Sequence, residues 1–183
     1  TGSVRAVMRE AKRGNLRGIH GALSQLISVP EQYAVAIETA FGAALQNIVT
    51  DSEGDAKRAI QFLKETKGGR ATFLPLSAVR GRMLEERGLA QCDGFVAVAS
   101  DLVKCDAAYE AVVKAQVGRT AVAEDMDCAI AIARKFSYRF RIVTLDGQII
   151  NAGGSMTGGS RMQNAGFLSR SNEIEKLRAE MQA

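Results

Sequence analysis

Apolar positions change their period several times along this chain, and the changes mark element boundaries. Residues 4 to 12, Val-Arg-Ala-Val-Met-Arg-Glu-Ala-Lys, put Val4, Met8 and Ala11 on one helical stripe, which Gly14 ends. Near the other terminus Ile174, Leu177 and Met181 form a second stripe, and Asn172 with Glu175 three residues later predicts its capped start. Both stripes have the narrow spacing of a coiled-coil seam. Each lasts about two turns, too short for an isolated helix to be stable. They predict two arm stubs leaving a globular body, residues 1–13 and 168–183.

The body between them, residues 14–167, carries a faint internal repeat. A Tyr-led helical run, Tyr33 to Gly42, precedes an apolar strand, Gln46 to Asp51. A helical pattern through Ala56, Ala59, Ile60 and Leu63 follows, then the strand Ala71–Leu74. The order recurs from Tyr109 to Gly118, through Thr120 to Asp125, through Ala129, Ile130, Ile132 and Ala133, and into Arg141–Leu145. In each copy a glycine sits where a helix C-cap is expected, and an Asp (Asp51, Asp125) ends the strand where it can cap the next helix. Strands are also expected at Arg17–Ala22 and Leu26–Val29 before the first copy, and at Phe95–Ala99 and near Leu102 and Val103 before the second. The pattern predicts a mixed α/β (α+β) fold. Two similar lobes of helix, strand, helix, strand, about 15–80 and 90–160, carry mixed sheets and are joined by a polar connection over Arg80–Gly88.

Residues 140 to 160 stand apart. Asp146-Gly147 between apolar runs predicts a β-hairpin. Next come Gly153-Gly154 and Gly158-Gly159 with only Ser155, Met156 and Thr157 between them. Glycine loses the most conformational entropy on folding, so such a cluster needs an interaction that offsets it. One candidate is a phosphate, because Gly153 to Ser160 approaches the P-loop spacing. Gly159 occupies the place of its lysine, however, and Arg161-Met-Gln-Asn-Ala-Gly166 is a poor helix start. The other candidate is close backbone-to-backbone approach by another chain, which fits the pattern better.

Composition narrows the chemistry. The 183 residues contain no Trp and only 5% aromatics, so the core must be built from Ala, Val, Ile and Leu. Net charge is +4, which permits contact with nucleic acid without establishing it. No apolar run approaches the roughly 20 residues of a membrane span. Cys92, Cys105 and Cys128 are odd in number and widely spaced, as expected of buried thiols in a reducing cytoplasm. Thr1-Gly2-Ser3, without a methionine, is expected of a piece excised from a longer protein. His20 is the only histidine, no metal, cofactor or catalytic motif accompanies it, and a structural role is expected.

Several segments, taken in order over about residues 14 to 171, resemble the hinge domain of bacterial structural-maintenance-of-chromosomes (SMC) proteins. They are Arg17-Gly-Ile-His-Gly21, Tyr33 to Asp51, Gly69 to Leu76, Tyr138 to Gly147 and Gly153-Gly-Ser-Met-Thr-Gly-Gly159. The resemblance implies a two-lobed, ring-like, two-fold homodimer joining two coiled-coil arms of a chromosome-condensing ATPase whose heads lie elsewhere. It places Gly153, Gly154, Ser155, Met156, Thr157, Gly158 and Gly159 at the dimer contact, where sheets meet edge to edge. It also implies weak DNA contact, not specific for sequence, through Lys12, Arg13, Arg17, Arg161 and Arg170, in a cytoplasmic protein associated with the nucleoid. No cofactor, metal or catalytic residue is expected in this segment.

Overall fold

The architecture was obtained as a computed structural model that describes residues 1–160 together with Leu168, Leu177, Arg178, Glu180 and Met181. The repeat is realised as two parallel β-α-β units. In the first, β3 (Ile48–Thr50) leads into α4 (Glu53–Thr66) and back to β4 (Phe73–Pro75). In the second, β7 (Thr120–Ala123) leads into α6 (Met126–Lys135) and back to β8 (Arg141–Thr144). An antiparallel strand flanks each unit on the corresponding side: β1 (Ile19–Ala22) beside β3, and β5 (Phe95–Val98) beside β7. Both flanking strands carry a register irregularity, at Ile19/Gly21 and at Phe95/Ala97. The second sheet continues through the Asp146-Gly147 turn into β9 (Ile149–Ile150) and then β10 (Met156–Thr157), giving the order β10-β9-β8-β7-β5.

The lobes are joined more tightly than the repeat suggested. Helices α3 (Ala34–Phe41) and α5 (Glu110–Val117) are each preceded by a 3-10 turn, ending at Tyr33 and Tyr109, and they pack against each other. One hydrophobic cluster combines Leu23, Ile27, Ile37 and Leu45 with Val112, Val117, Val122 and Val143. The two lobes therefore share a core, while α4 and α6 close the opposite faces of their own sheets. The equivalent two-residue strands β2 (Ile27–Ser28) and β6 (Lys104–Cys105) pair antiparallel across the junction. Here the first expected strand is shortened within Leu26–Val29 and the second is displaced past Val103: Leu23–Leu26 forms a helical turn, α2, and Ala99–Leu102 a 3-10 turn. From β8, the Arg141 guanidinium donates to the carbonyl of Ala40 at 2.8 Å, reaching the C-terminal end of α3 where a cation complements the helix dipole.

Two expectations need correction. Asp51 does not cap α4. Ser52 does, its hydroxyl accepting from Asp55 N–H at 3.2 Å, whereas Asp125 caps α6 as expected, accepting from Cys128 N–H at 2.8 Å. Substituting Ser52 or Asp125 by Ala should each cost about 1 kcal/mol of stability in urea unfolding, the usual value of a lost N-cap. Asp51→Ala should leave the α4 cap intact. The buried face of α1 (Gly2–Lys12) is also turned from the expected stripe. Val7 is fully buried against α4 and β1, and Ser3 donates to the Arg70 carbonyl at 2.7 Å, while Val4, Met8 and Ala11 are half-buried. Ile174 of the second stripe lies outside the described residues; Leu177 and Met181 are helical and exposed.

Candidate dimer edge and basic face

The glycine-rich segment is the outermost part of the five-stranded sheet. β10 pairs with β9 on one side, Met156 opposite Ile150 and Thr157 opposite Ile149. Asn151 N–H donates to the Ser155 carbonyl at 2.7 Å. In an antiparallel ladder, inward and outward backbone groups alternate. Ser155 and Thr157 therefore face β9, and the amide and carbonyl groups of Met156 and Gly158 point away from the sheet. Met156 is 55% exposed, and every residue from Ser155 to Ser160 is exposed. An edge of this kind is a template for another strand.

Each of the four glycines also has a reason within its own chain. Gly153, Gly154 and Gly159 have φ of +91°, +105° and +136°, backbone that L-residues adopt only with strain. Gly153 N–H donates to the Tyr138 carbonyl at 2.8 Å and Gly154 N–H to the Asn151 carbonyl at 2.9 Å. A Cβ on Gly158 would lie 2.0 Å from Gln148 Oε1. That Gln148 oxygen accepts from Gly159 N–H at 2.8 Å, and its Nε2 donates to the Gly159 carbonyl at 3.0 Å. The amides of Gly153, Gly154 and Gly159 are thus committed to protein acceptors, which argues against a phosphate cradle at Gly153–Ser160.

The basic residues separate into two groups. Lys12, Arg13 and Arg17 are exposed where α1 ends and the body begins. Arg13 is partly neutralised by Glu10, 3.2 Å away. Arg161 and Arg170 lie outside the described residues. Arg5 and Arg9, which were not among the expected candidates, are exposed on α1 and extend the charge along it toward Lys12 and Arg13. Arg5, Arg9 and Arg13 recur every four residues, a helical stripe that periodicity applied to cations would have found.

His20 has partners that the sequence did not reveal. Its Nε2 lies 2.5 Å from Asp51 Oδ1 and its Nδ1 2.8 Å from the Tyr109 hydroxyl, with the rings edge-to-face at 5.4 Å. Asp51 and His20 come from lobe one and Tyr109 from lobe two, so the group spans the junction. Burial first, then Asp106 and Asp51, push the Tyr109 phenol above its ordinary range and keep it protonated at neutral pH. Cys105 is raised by burial, and Cys128 by its hydrogen bond with Asp125, so neither thiol is primed as a nucleophile. Among the described residues, no three His, Cys, Asp or Glu side chains could hold a metal ion, and no helix is long and apolar enough to cross a membrane. This arrangement suits a latch between lobes.

Comparison with known proteins agrees with the architecture. The model of the SMC proteins flexible hinge domain matches residues 16–133. The chromosome partition protein Smc of Bacillus subtilis is 45% identical over 178 residues, covering 95% of this chain and 15% of that protein. Its namesake from Halothermothrix orenii is 43% identical over 172 residues, covering 92% and 14%. The chain therefore spans about one-seventh of the length of these curated relatives. The Geobacillus stearothermophilus SMC hinge domain, crystallised as an asymmetric dimer, superposes with a TM-score of 0.92 at 45% identity, covering all of this chain and 74% of that one. The Pyrococcus furiosus SMC hinge domain gives a TM-score of 0.72 at 32% identity, covering 90% and 91%. The repeat, the sheet order and these matches agree: the chain belongs to the family of SMC flexible hinge domains.

Proposed function

We propose that this chain is the homodimerising joint of a chromosome-partitioning SMC ATPase, residues 14–167 forming the joint and residues 1–13 and 168–183 beginning its two coiled-coil arms. The observation that carries this is the outward-facing backbone of Met156 on β10 and of Gly158 directly after it. A matching edge exists in lobe one. Thr72 and Leu76 bond toward β3, so Phe73 and the carbonyl of Pro75 face away from it. Pro75 has no N–H to offer, which suits an edge strand. In a two-fold pair, β10 of each subunit would meet β4 of the other, giving two equivalent seams and a closed ring. The chain then works as a joint and not as a catalyst, with ATP turnover in parts of the protein beyond it and the assembly residing on the nucleoid. Light scattering tests this: the account expects a mass near twice the 19.6 kDa of one chain. Tight stoichiometric ATP or GTP binding by calorimetry would instead favour a nucleotide-binding domain using Gly153–Ser160.

Weak DNA contact through the α1 end is the second element of the proposal. It rests on the exposed Lys12, Arg13 and Arg17, with Arg5 and Arg9 beside them, and on Arg161 and Arg170 by the family resemblance. Reversal of Lys12, Arg13 and Arg17 to Glu should weaken binding equally for all DNA sequences. It should also flatten the salt dependence by about 0.7 to 0.9 in log–log slope for each phosphate that is no longer neutralised. The dimer mass should not change. A sequence-dependent weakening would contradict binding through phosphates alone.

A further inference from the structure

We infer that Gln148 is a positioning residue for the dimer edge: its side-chain amide stands in for a missing stretch of backbone and ties the chain that leaves β10 back to the sheet. The inference rests on the homodimer proposed above. The ladder register supplies the argument. Met156 opposite Ile150 and Thr157 opposite Ile149 set a constant sum, so Gly159 should face Gly147. Gly147 is unavailable. It has φ of +87° in the β8–β9 turn, and its N–H is given to the Thr144 carbonyl at 3.0 Å. Without a substitute, both backbone groups of Gly159 would lack a partner on that side, and the chain leaving β10 (Met156–Thr157) would have no tie to the sheet.

Gln148 fills the gap. Its Oε1 accepts from Gly159 N–H at 2.8 Å and its Nε2 donates to the Gly159 carbonyl at 3.0 Å, the same donor and acceptor pair that a facing strand residue would present. The side chain reaches Gly159 by crossing the place where residue 158 would carry a Cβ, 2.0 Å from Oε1. Gly158 is therefore required by Gln148. Its φ is not in the left-handed region, so alanine there meets a steric obstacle and no backbone strain. The neighbouring Asn151 does related work, its Nδ2 donating to Ser155 Oγ at 3.1 Å and Thr157 Oγ1 at 3.3 Å. Between the two amides, residues 155–159 are tied to the β9 side of the sheet before a second chain arrives. Less ordering is then left to association, which is how preorganisation raises affinity.

A double-mutant cycle on the 183-residue chain tests this. Gln148→Ala, Gly158→Ala and the double variant are compared by sedimentation equilibrium for dimer Kd and by thermal unfolding for stability of the body. Gln148→Met, which keeps the stem but not the amide, guards against a packing effect. Gln148→Ala and Gln148→Met should raise Kd about tenfold, the scale of two hydrogen bonds removed from the edge. Gly158→Ala should do the same by displacing Gln148, and the double variant should be no worse than either single one. Melting temperatures should stay near wild type, since the segment is exposed. If Gln148 variants dimerise like wild type, or if the two substitutions multiply in the double variant, the inference fails while the homodimer stands. If wild type itself stays single at high concentration, the homodimer and the inference fall together.

Discussion

Alanine at Gly153, Gly154, Gly158 and Gly159 together is expected to leave a folded chain that no longer pairs with its twin. Three of the positions have φ between +91° and +136°, where a Cβ costs about 1 to 2 kcal/mol each, and the fourth would drive a Cβ into Gln148. The summed strain, about 3 to 6 kcal/mol, exceeds what an exposed two-strand edge can hold, so residues 153–160 should leave β9. A dimer Kd raised a hundredfold or more would follow, because each 1.4 kcal/mol is about a factor of ten. The body should survive. Ser155 to Ser160 are exposed, and the buried clusters do not include the four glycines. Light scattering should therefore read one chain per particle while far-UV circular dichroism stays native. A variant that remains dimeric would remove this segment from the interface.

Gly118→Ala should produce the larger loss of stability, for a different physical reason. Gly118 has φ of −67°, which alanine adopts freely. Its added Cβ, however, would lie 2.0 Å from the Arg82 carbonyl oxygen and 2.5 Å from that of Lys114. Both obstacles are backbone and cannot rotate aside. The Arg82 peptide is held there because Leu84 N–H donates to the Gly118 carbonyl at 2.8 Å and the Leu84 side chain is buried with Leu89, Val98 and Phe136. Accommodating a methyl group means lifting the connection between the lobes off the end of α5. A cost of about 3 kcal/mol is expected, the upper part of the range for overpacking, with a fall in Tm of about 10 °C. Gly2→Ala is the control, since nothing lies within 4 Å of its added Cβ, and it should change Tm by less than about 2 °C. A neutral Gly118→Ala would mean that the connection is not seated as described.

These residues show which parts of the fold were legible in the chain. The Asp146-Gly147 hairpin was, because turn chemistry is local: Gly147 has φ of +87° and β8 pairs with β9 in register. The repeat was legible too, because Tyr33 and Tyr109 begin the same sequence of elements and reach nearly the same backbone angles. Strand β2 falls inside the expected Leu26–Val29, whereas β6 begins just past Leu102 and Val103, because two residues carry no period that could fix its bounds. The α4 cap could not be told between Asp51 and Ser52 by residue type, because Asp and Ser are equally good caps. What decides it is His20, 31 residues earlier, which takes the Asp51 carboxylate. The α1 stripe through Val4 is one of several rotations that a helix of so few turns allows, and packing against α4 selects Val7. At the candidate edge the glycines were visible and their partner Gln148 was not. A side-chain amide standing in for backbone leaves no compositional trace, and only the register shows that Gly147 is missing from the ladder.

Hydrogen exchange at the amides of Met156 and Gly158 tests the proposed seam most directly. Both N–H groups point away from β9, so within one chain water should reach them freely. The account predicts slow exchange for both at concentrations where the protein is a dimer, and fast exchange in the four-glycine variant. Fast exchange in a sample shown to be dimeric would place the contact between twins elsewhere on the molecule and contradict the account.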